Sequence, residues 1–428
     1  MKKIYHFGLL LLLSAWSSLS WAQLALQTQS KPQQLATAKS PESLGFSSER
    51  LARIDALMQE KIAQKHIPCA TMILIRKGQI VYYKSFGARN FETGTPLQKD
   101  DIGRIMSMSK AITSTAVLML YEEGKIKLDD PVSKYIPAFK NPKVLAYFNP
   151  KDTTYAAVPA KREVTIRHLL THTAGIPYSH PLYKKAGIPD FFSLDNKKIS
   201  QTIPALGALP LMHEPGEKYT YGLNTDVLGY LVEVVSGMRF GDFLQQRIFD
   251  PIGMTDSGFY LPDSKKNRLI RLCTEPDDNG LRVHPDYAEE NYPVAGAKTY
   301  ESGGAGLVST VMDYAKFCQM ILNGGSFNGK QLLSRKTVEL MAVNQIGELE
   351  MGSVGNKFGL GFEITTEKGH SQEPSSVGAL RWGGRNYSDY WIDPKEEIVG
   401  VWLTQVVPTR HGGIDKQFKQ LAYQALID

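Results

Sequence analysis

The spacing of apolar residues changes several times along the chain, and each change marks a different kind of element. Residues 46–67, FSSERLARIDALMQEKIAQKHI, place apolar side chains at helical spacing behind a Ser–Glu capping pair, which predicts a helix. Residues 69–87, CATMILIRKGQIVYYKSFG, form two β-rich apolar runs around Lys77-Gly78, the pattern of a β-hairpin. Residues 104–125, RIMSMSKAITSTAVLMLYEEGK, differ again. Between Lys110 and Glu122 this stretch carries no charge and is apolar nearly all round. A helix of that kind belongs inside a protein, yet its first turn keeps a lysine three residues after Ser107.

From about 125 to 295 the pattern is helical with Pro-broken loops, as in VTIRHLLTHTAGIP and DVLGYLVEVVSGMRFGDFLQQRIFDPIGM. From about 358 the strand signal returns in FGLGFEITTE, GALRWGG, SDYWIDP and EIVGVWLTQ. The chain closes with IDKQFKQLAYQALI, an amphipathic helix. Consecutive strands favour antiparallel pairing, and the flanking helices must cover the faces. The expected fold is an α/β sandwich with an antiparallel sheet built from both chain ends. Its α/β part takes about 45–105 and 295–428, and a mostly helical part is inserted at about 106–294.

The N-terminus changes the picture of where the protein works. Lys2 and Lys3, the apolar Leu9–Leu13 run and Ser20-Trp21-Ala22 give residues 1–22 the form of a cleaved secretory signal. The apolar run is well short of the ~20 residues that span a bilayer, so no stable membrane anchor is expected. Residues 23–44 are polar and Gln/Ser/Pro-rich and read as a linker before one domain at 45–428. An exported protein, periplasmic or secreted, follows. The net charge of +6 falls to +4 without Lys2 and Lys3, and the basic residues are scattered, so nothing points to nucleic acid. Three cysteines, Cys69, Cys273 and Cys318, make no CxxC pair and no disulfide scaffold, although a single bridge stays open.

On a helix, residues three apart share a face, so Ser107 and Lys110 are neighbours. The helix N-terminus adds free N–H groups and a positive dipole end beside the serine. Apolar surroundings disfavour the charged form of an amine. A neutral amine next to a serine hydroxyl can take its proton, and the alkoxide then attacks a carbonyl. A surface lysine snorkelling beside a capping serine would fit the same four letters. The chain contains this S-x-x-K spacing once, at the start of a helix that is apolar nearly all round.

Companion segments narrow the choice. RIMSMSKAITS, KIKLDDPVSKYIP, VTIRHLLTHTAGI, PGEKYTYGLNTDVLGYLVEVVSG, ESGGAGLVSTVMDYAKF and RWGGRNYSDYWIDP run in order from about residue 45 to the C-terminus. With these hallmarks the chain resembles the serine β-lactamase-like and penicillin-binding-protein-like superfamily, in particular its class C-like branch with esterases and D-aminopeptidases. The resemblance implies a Ser107–Lys110 pair joined by Tyr221, which is preferred over Tyr219 for its fixed distance from Asp226-Val227-Leu228-Gly229. It also implies an oxyanion hole from the backbone N–H groups of Ser107 and Arg385. Trp382, Gly383, Gly384 and Asn224 would line the substrate cleft. No cofactor and no metal are expected, and the substrate is a small ester or amide.

The pattern departs from β-lactamases of this type in informative places. Leu223 stands two residues after Tyr221, where an asparagine is usual, with Asn224 one step later. The third motif has Trp382 and Gly383 in place of the cation and hydroxyl of Lys-Thr-Gly. Those groups would bind a β-lactam's carboxylate and amide, so the departures point to an esterase. A class C-like β-lactamase, a D-aminopeptidase or a DD-carboxypeptidase is the alternative, and the Arg385 side chain keeps anionic substrates in play. A penicillin-sensing or wall-binding module without turnover is the reading from another class, and Tyr221 argues against it. A zinc peptidase would need H-E-x-x-H, but His168 is followed by Leu169. Asp129 and Asp130 read as a turn, and no G-x-S-x-G elbow occurs.

Overall fold

Apolar runs from the two ends of the chain meet in one nine-stranded sheet in the computed structural model, which describes residues 35–189, 192–277, 280–353 and 355–428. The N-terminal part supplies β1 (Ala36–Thr37), β2 (Cys69–Arg76), β3 (Gln79–Asn90) and β4 (Thr95–Pro96). The C-terminal part supplies β5 (Lys357–Phe358), β6 (Glu363–Ile364), β7 (Leu380–Gly384), β8 (Ser388–Asp393) and β9 (Ile398–Leu403). The order is β1-β3-β2-β9-β8-β7-β6-β5, with β4 paired to β3. The two chain ends join where β2 runs antiparallel to β9, Ile73 opposite Val401. This is the mixed α/β architecture expected from the strand pattern.

Six helices cover this sheet or carry the site: α1 (Ser48–Ala63), α2 (Ser109–Glu122), α3 (Asn224–Ser236), α4 (Tyr287–Asn291), α5 (Val311–Leu322) and α6 (Ile414–Gln424). One face of the sheet packs Met72, Leu74, Trp391 and Trp402 against Leu51, Ile54 and Phe418 of α1 and α6. The other packs Ile73, Ile392, Val399 and Val401 against Ile112 of α2 and Phe317 of α5. Burial on both faces explains why β2 and β9 read as largely apolar runs rather than alternating ones. Trp402 is fully buried, and truncating it to alanine is expected to cost about 3–5 kcal/mol.

Two expectations need correction here. The second half of the proposed linker is part of the fold: Ala36–Thr37 runs parallel to Gln79–Ile80, and the Ala38 N–H donates to the Ile80 carbonyl at 2.9 Å. The outer strand offers unpaired backbone groups, and even a short polar segment can satisfy them. The cap of α1 is Ser47, which accepts the Arg50 N–H at 3.2 Å. The assisting carboxylate is Glu42, which accepts the Ser48 N–H at 2.8 Å, so Glu49 is not the capping acid.

The inserted part carries α2, α3 and α4 and also two small hairpins, Lys143–Phe148 with Tyr155–Pro159 and Cys273–Thr274 with Arg282–Val283. All three cysteines are free and buried. The signal-type segment 1–22 lies outside the described residues. Among those described, no helix is long and apolar enough to cross a membrane.

Candidate active site

The chain reaches Ser107 through a sharp turn. Met106 has φ 48°, a left-handed conformation for a non-glycine residue, and Met106–Met108 form a single 3-10 turn leading into α2. No side chain caps α2, so the positive end of its dipole points toward Ser107. Gly384, at the end of β7, approaches this turn closely: a Cβ there would come within 2.6 Å of the Ile105 carbonyl oxygen. The glycine is what allows the strand edge to stand beside the serine.

Lys110 is 1% exposed. Its Nζ donates to Ser107 Oγ at 3.2 Å, to the Gly304 carbonyl at 2.7 Å and to Tyr178 Oη at 2.5 Å. The ESGGAG segment supplies that carbonyl, and it can approach because Gly304 lacks a Cβ, which would sit 2.6 Å from Asp226 Oδ2. Among the described residues no carboxylate lies within ion-pairing distance of Lys110. Asp226, in the first turn of α3, is the acid nearby. Burial pushes its carboxyl up to about 6, while the Ser302 hydroxyl, which donates to its Oδ1 at 2.6 Å, and the charge of Lys110 act the other way.

The sequence reading missed Tyr178. Burial and the neighbouring Tyr221 and Asp226 push its phenol well above the ordinary value, so it stays protonated and able to donate, and its hydroxyl also meets Ser107. Tyr221 stands beside it, the rings 5.2 Å apart and edge-on, with Lys110 Nζ 4.6 Å from the Tyr221 ring centre. The Tyr221 hydroxyl accepts the Trp382 indole N–H at 3.0 Å. Tyr221 therefore lines the site, while the phenol bonded to Lys110 is that of Tyr178. The available signal was GIPYSHP, a tyrosine bracketed by prolines.

These groups border a cavity of about 490 Å³ lined by Ser107, Tyr178, Tyr221, Trp382, Gly383, Gly384 and Arg385, with Met106, Ala305 and Glu363. Seven of the eight residues expected at the site thus come together, since Lys110 bonds the serine from behind the wall. Asn224 does not. It is fully buried, and its Nδ2 donates to His172 Nδ1, Ile176 O and Thr220 O at 3.0, 3.2 and 3.2 Å. The shift by one residue from Leu223 to Asn224 turns the amide inward, where it ties α3 to the HTAGI segment.

The Arg385 side chain forms an ion pair with Glu289 of α4 and is not an unengaged cation. Glu363 is likewise committed, to Asn356 and Arg381. His172 and His168 serve structure. Burial, reinforced by Lys110, holds His172 well below its ordinary value, and His168 Nδ1 accepts the Thr165 N–H at a helix start. Asp129 pairs with Arg167, and Asp130 closes a turn on the Lys127 N–H. No cluster able to hold a metal occurs among the described residues.

The chain is similar to known proteins over most of its length. A family model described as Beta-lactamase matches residues 54–424. Esterase EstB of Burkholderia gladioli is 27% identical over 379 residues, covering 83% of this chain and 91% of that protein. An Escherichia coli K12 protein provisionally named as a D-alanyl-D-alanine carboxypeptidase is 28% identical over 395 residues, covering 86% and 85%. Among solved structures, EstCE1, a hydrolase with promiscuous acyltransferase activity, superposes with a TM-score of 0.75 at 26% identity, covering 88% of this chain and 99% of that one.

Proposed function

The chain belongs to the beta-lactamase family and is a serine hydrolase; from that premise we propose that it is an exported carboxylesterase acting on small esters through an acyl-enzyme on Ser107. The observation that carries the reading is the wall opposite the serine, where Trp382 fills the place of a carboxylate-binding cation and donates its N–H to Tyr221. Such a wall suits an acyl group that brings apolar surface and no charge.

In the proposed reaction Lys110, in its neutral form, takes the Ser107 proton directly or through the Tyr178 hydroxyl, and Oγ bonds to the ester carbonyl carbon. The electron pair of the C=O moves onto oxygen, where the backbone N–H groups of Ser107 and Arg385 would receive it. Two fixed donors of this kind are typically worth ~3 kcal/mol each. The tetrahedral centre collapses, the C–O bond to the alcohol breaks, and the departing alkoxide takes a proton from the lysine–tyrosine pair. Tyr221, whose oxygen already accepts from Trp382, keeps its own O–H for that leaving oxygen. Water then repeats the sequence on the acyl-enzyme and frees the carboxylic acid.

A second reading, hydrolysis of D-alanyl peptides, draws support from the Escherichia coli relative. Purified protein tested on a nitrophenyl butyrate, a chromogenic cephalosporin and a D-alanyl-D-alanine peptide separates the readings. We expect kcat/KM for the butyrate to exceed that for the cephalosporin by at least ~100-fold, or ~2.7 kcal/mol of discrimination. Preferential turnover of either of the other two substrates overturns the esterase assignment.

A further inference from the structure

Large apolar side chains are exposed singly over most of the molecule, but not on the hairpin of Lys143–Phe148 and Tyr155–Pro159. Of the eight exposed among the described residues, Tyr147, Tyr155 and Val158 lie on this hairpin, at 62%, 46% and 50% exposure. Single exposed apolar residues are ordinary, whereas a cluster marks a surface with something to bind. The register shows how the cluster arises. Leu145 pairs with Ala157 and Phe148 with Tyr155, and both Leu145 and Phe148 pack against the core. The opposite face therefore carries Val144 with Val158 and Tyr147 with Ala156. A surface hairpin usually alternates apolar inside with polar outside. Here the four outward positions hold no charged side chain. The charges gather at the ends instead. Lys140 and Lys143 enter the hairpin, Lys151 lies in its turn, and Lys161 and Arg162 follow it. All five are exposed, and among the described residues no carboxylate lies within ion-pairing distance of any of them. The carboxylates among them are each already accepting a hydrogen bond: Asp152 from the Thr154 N–H at 2.9 Å, Glu163 from the Ser133 hydroxyl at 2.6 Å and Glu214 from the Lys161 N–H at 2.9 Å.

We infer that this hairpin is a docking surface for an anionic lipid bilayer, held by its apolar outer face and by the basic residues at its ends. The inference goes beyond the esterase reading and does not depend on it. Tyrosine suits the boundary between headgroups and acyl chains, where its ring is buried and its hydroxyl stays wet. Long basic side chains lay their stems on apolar surface and keep their charge among the lipid phosphates. A second copy of the chain would bring a like-charged set of residues against the first, which disfavours that contact. An acidic protein would answer the charge, but the outer face offers it only one hydroxyl to recognise. The hairpin is also joined to the active site. The Leu145 N–H donates to the Leu211 carbonyl at 2.8 Å, and the Phe148 ring lies 4.6 Å from that of His180, two residues after Tyr178. A bilayer held by the hairpin thus adjoins the segment that supplies Tyr178.

The test is cosedimentation of the purified protein with vesicles of phosphatidylcholine, alone or mixed with phosphatidylglycerol. Binding is expected to the mixed vesicles and not to phosphatidylcholine alone, and it should weaken as salt is raised. One cation near an anionic surface is worth about fivefold in partitioning, so Lys143→Gln/Lys151→Gln should lower the partition coefficient ~25-fold. Tyr147→Ser/Val158→Ser should lower it at least ~10-fold by removing the apolar part of the contact. Both variants should keep the unfolding midpoint of wild type, because all four positions are exposed. The readout is binding, so it stands whether or not the butyrate is hydrolysed. Absence of binding to the mixed vesicles at low salt overturns the inference, as does binding that neither variant weakens. A concentration-dependent dimer in sedimentation velocity that Tyr147→Ser/Val158→Ser abolishes would assign the face to a second copy and overturn it too. Retention on heparin without vesicle binding would assign the face to an acidic macromolecule, with the same consequence.

Discussion

Two cations stand near Ser107, one behind the cavity wall and one in it, and the protein treats them in opposite ways. Lys110, behind the serine, gives its three N–H bonds to a hydroxyl, a phenol and a backbone carbonyl. Arg385, at the rim, faces a carboxylate. A cation held only by neutral acceptors has no carboxylate bonded to it. A guanidinium bonded to a carboxylate is fixed in both charge and direction. The difference teaches what each is for: the first arrangement suits proton transfer, the second a fixed place in the wall. The acid near Lys110, Asp226, accepts the Ser302 hydroxyl on one oxygen and makes no ion pair with the lysine.

The comparison breaks most visibly if the inner cation is not catalytic. Ser107→Ala should abolish fluorophosphonate labelling and lower kcat by about a millionfold, the scale seen for loss of a nucleophile. Lys110→Ala should cost ~10³–10⁴ in kcat, while Arg385→Ala should leave butyrate turnover within ~10-fold. Intact-mass labelling and steady-state rates check both. Equal losses at Lys110 and Arg385 would erase the distinction drawn between them.

The two tyrosines sharpen it next. Tyr178 bonds Lys110 directly, whereas Tyr221 is held by Trp382. Tyr178→Phe is expected to lower kcat ~10²–10³-fold, and Lys110→Ala/Tyr178→Phe should be little worse than Lys110→Ala alone, because the two act as a unit. Tyr221→Phe is expected to cost ~100-fold and to combine additively with Trp382→Phe only if their hydrogen bond is irrelevant. The reverse ranking of the two phenylalanine variants would return the main role to Tyr221.

Much of this was legible in the sequence where the signal is local. Ser107 and Lys110 sit three residues apart on one helix, so a single pattern finds them, and the two-sided sheet announces itself as largely apolar runs. Trp382, Gly383 and Gly384 were readable because a strand ending in glycines invites close approach. Tyr178 was not, since it reaches Lys110 from 68 residues away and nothing in GIPYSHP fixes which way its ring turns. Glu289 lies 96 residues before Arg385, and a charge pair at that separation leaves no periodic trace. Asn224 misled because a one-residue slip at the start of a helix rotates a side chain by about 100°. Ala36–Thr37 escaped because a two-residue strand is defined by its partner, not by its own composition.

The smallest expected effect concerns Asp226. Its carboxyl titrates at about 6 in the folded protein because it is buried, against about 3.9 in an unfolded chain. The folded state therefore binds this proton more tightly than the unfolded state does. Its contribution to stability is full below about pH 4 and is lost as pH rises through about 6. The difference of roughly two pKa units corresponds to on the order of 3 kcal/mol. Asp226→Asn keeps the shape and removes the ionisation, so its stability should stay level where that of wild type declines. Urea midpoints measured from pH 4 to 7 on both proteins give the comparison. Parallel curves would mean that Asp226 ionises in the folded protein as readily as in the unfolded chain, so that Lys110 keeps a charged neighbour over the whole range.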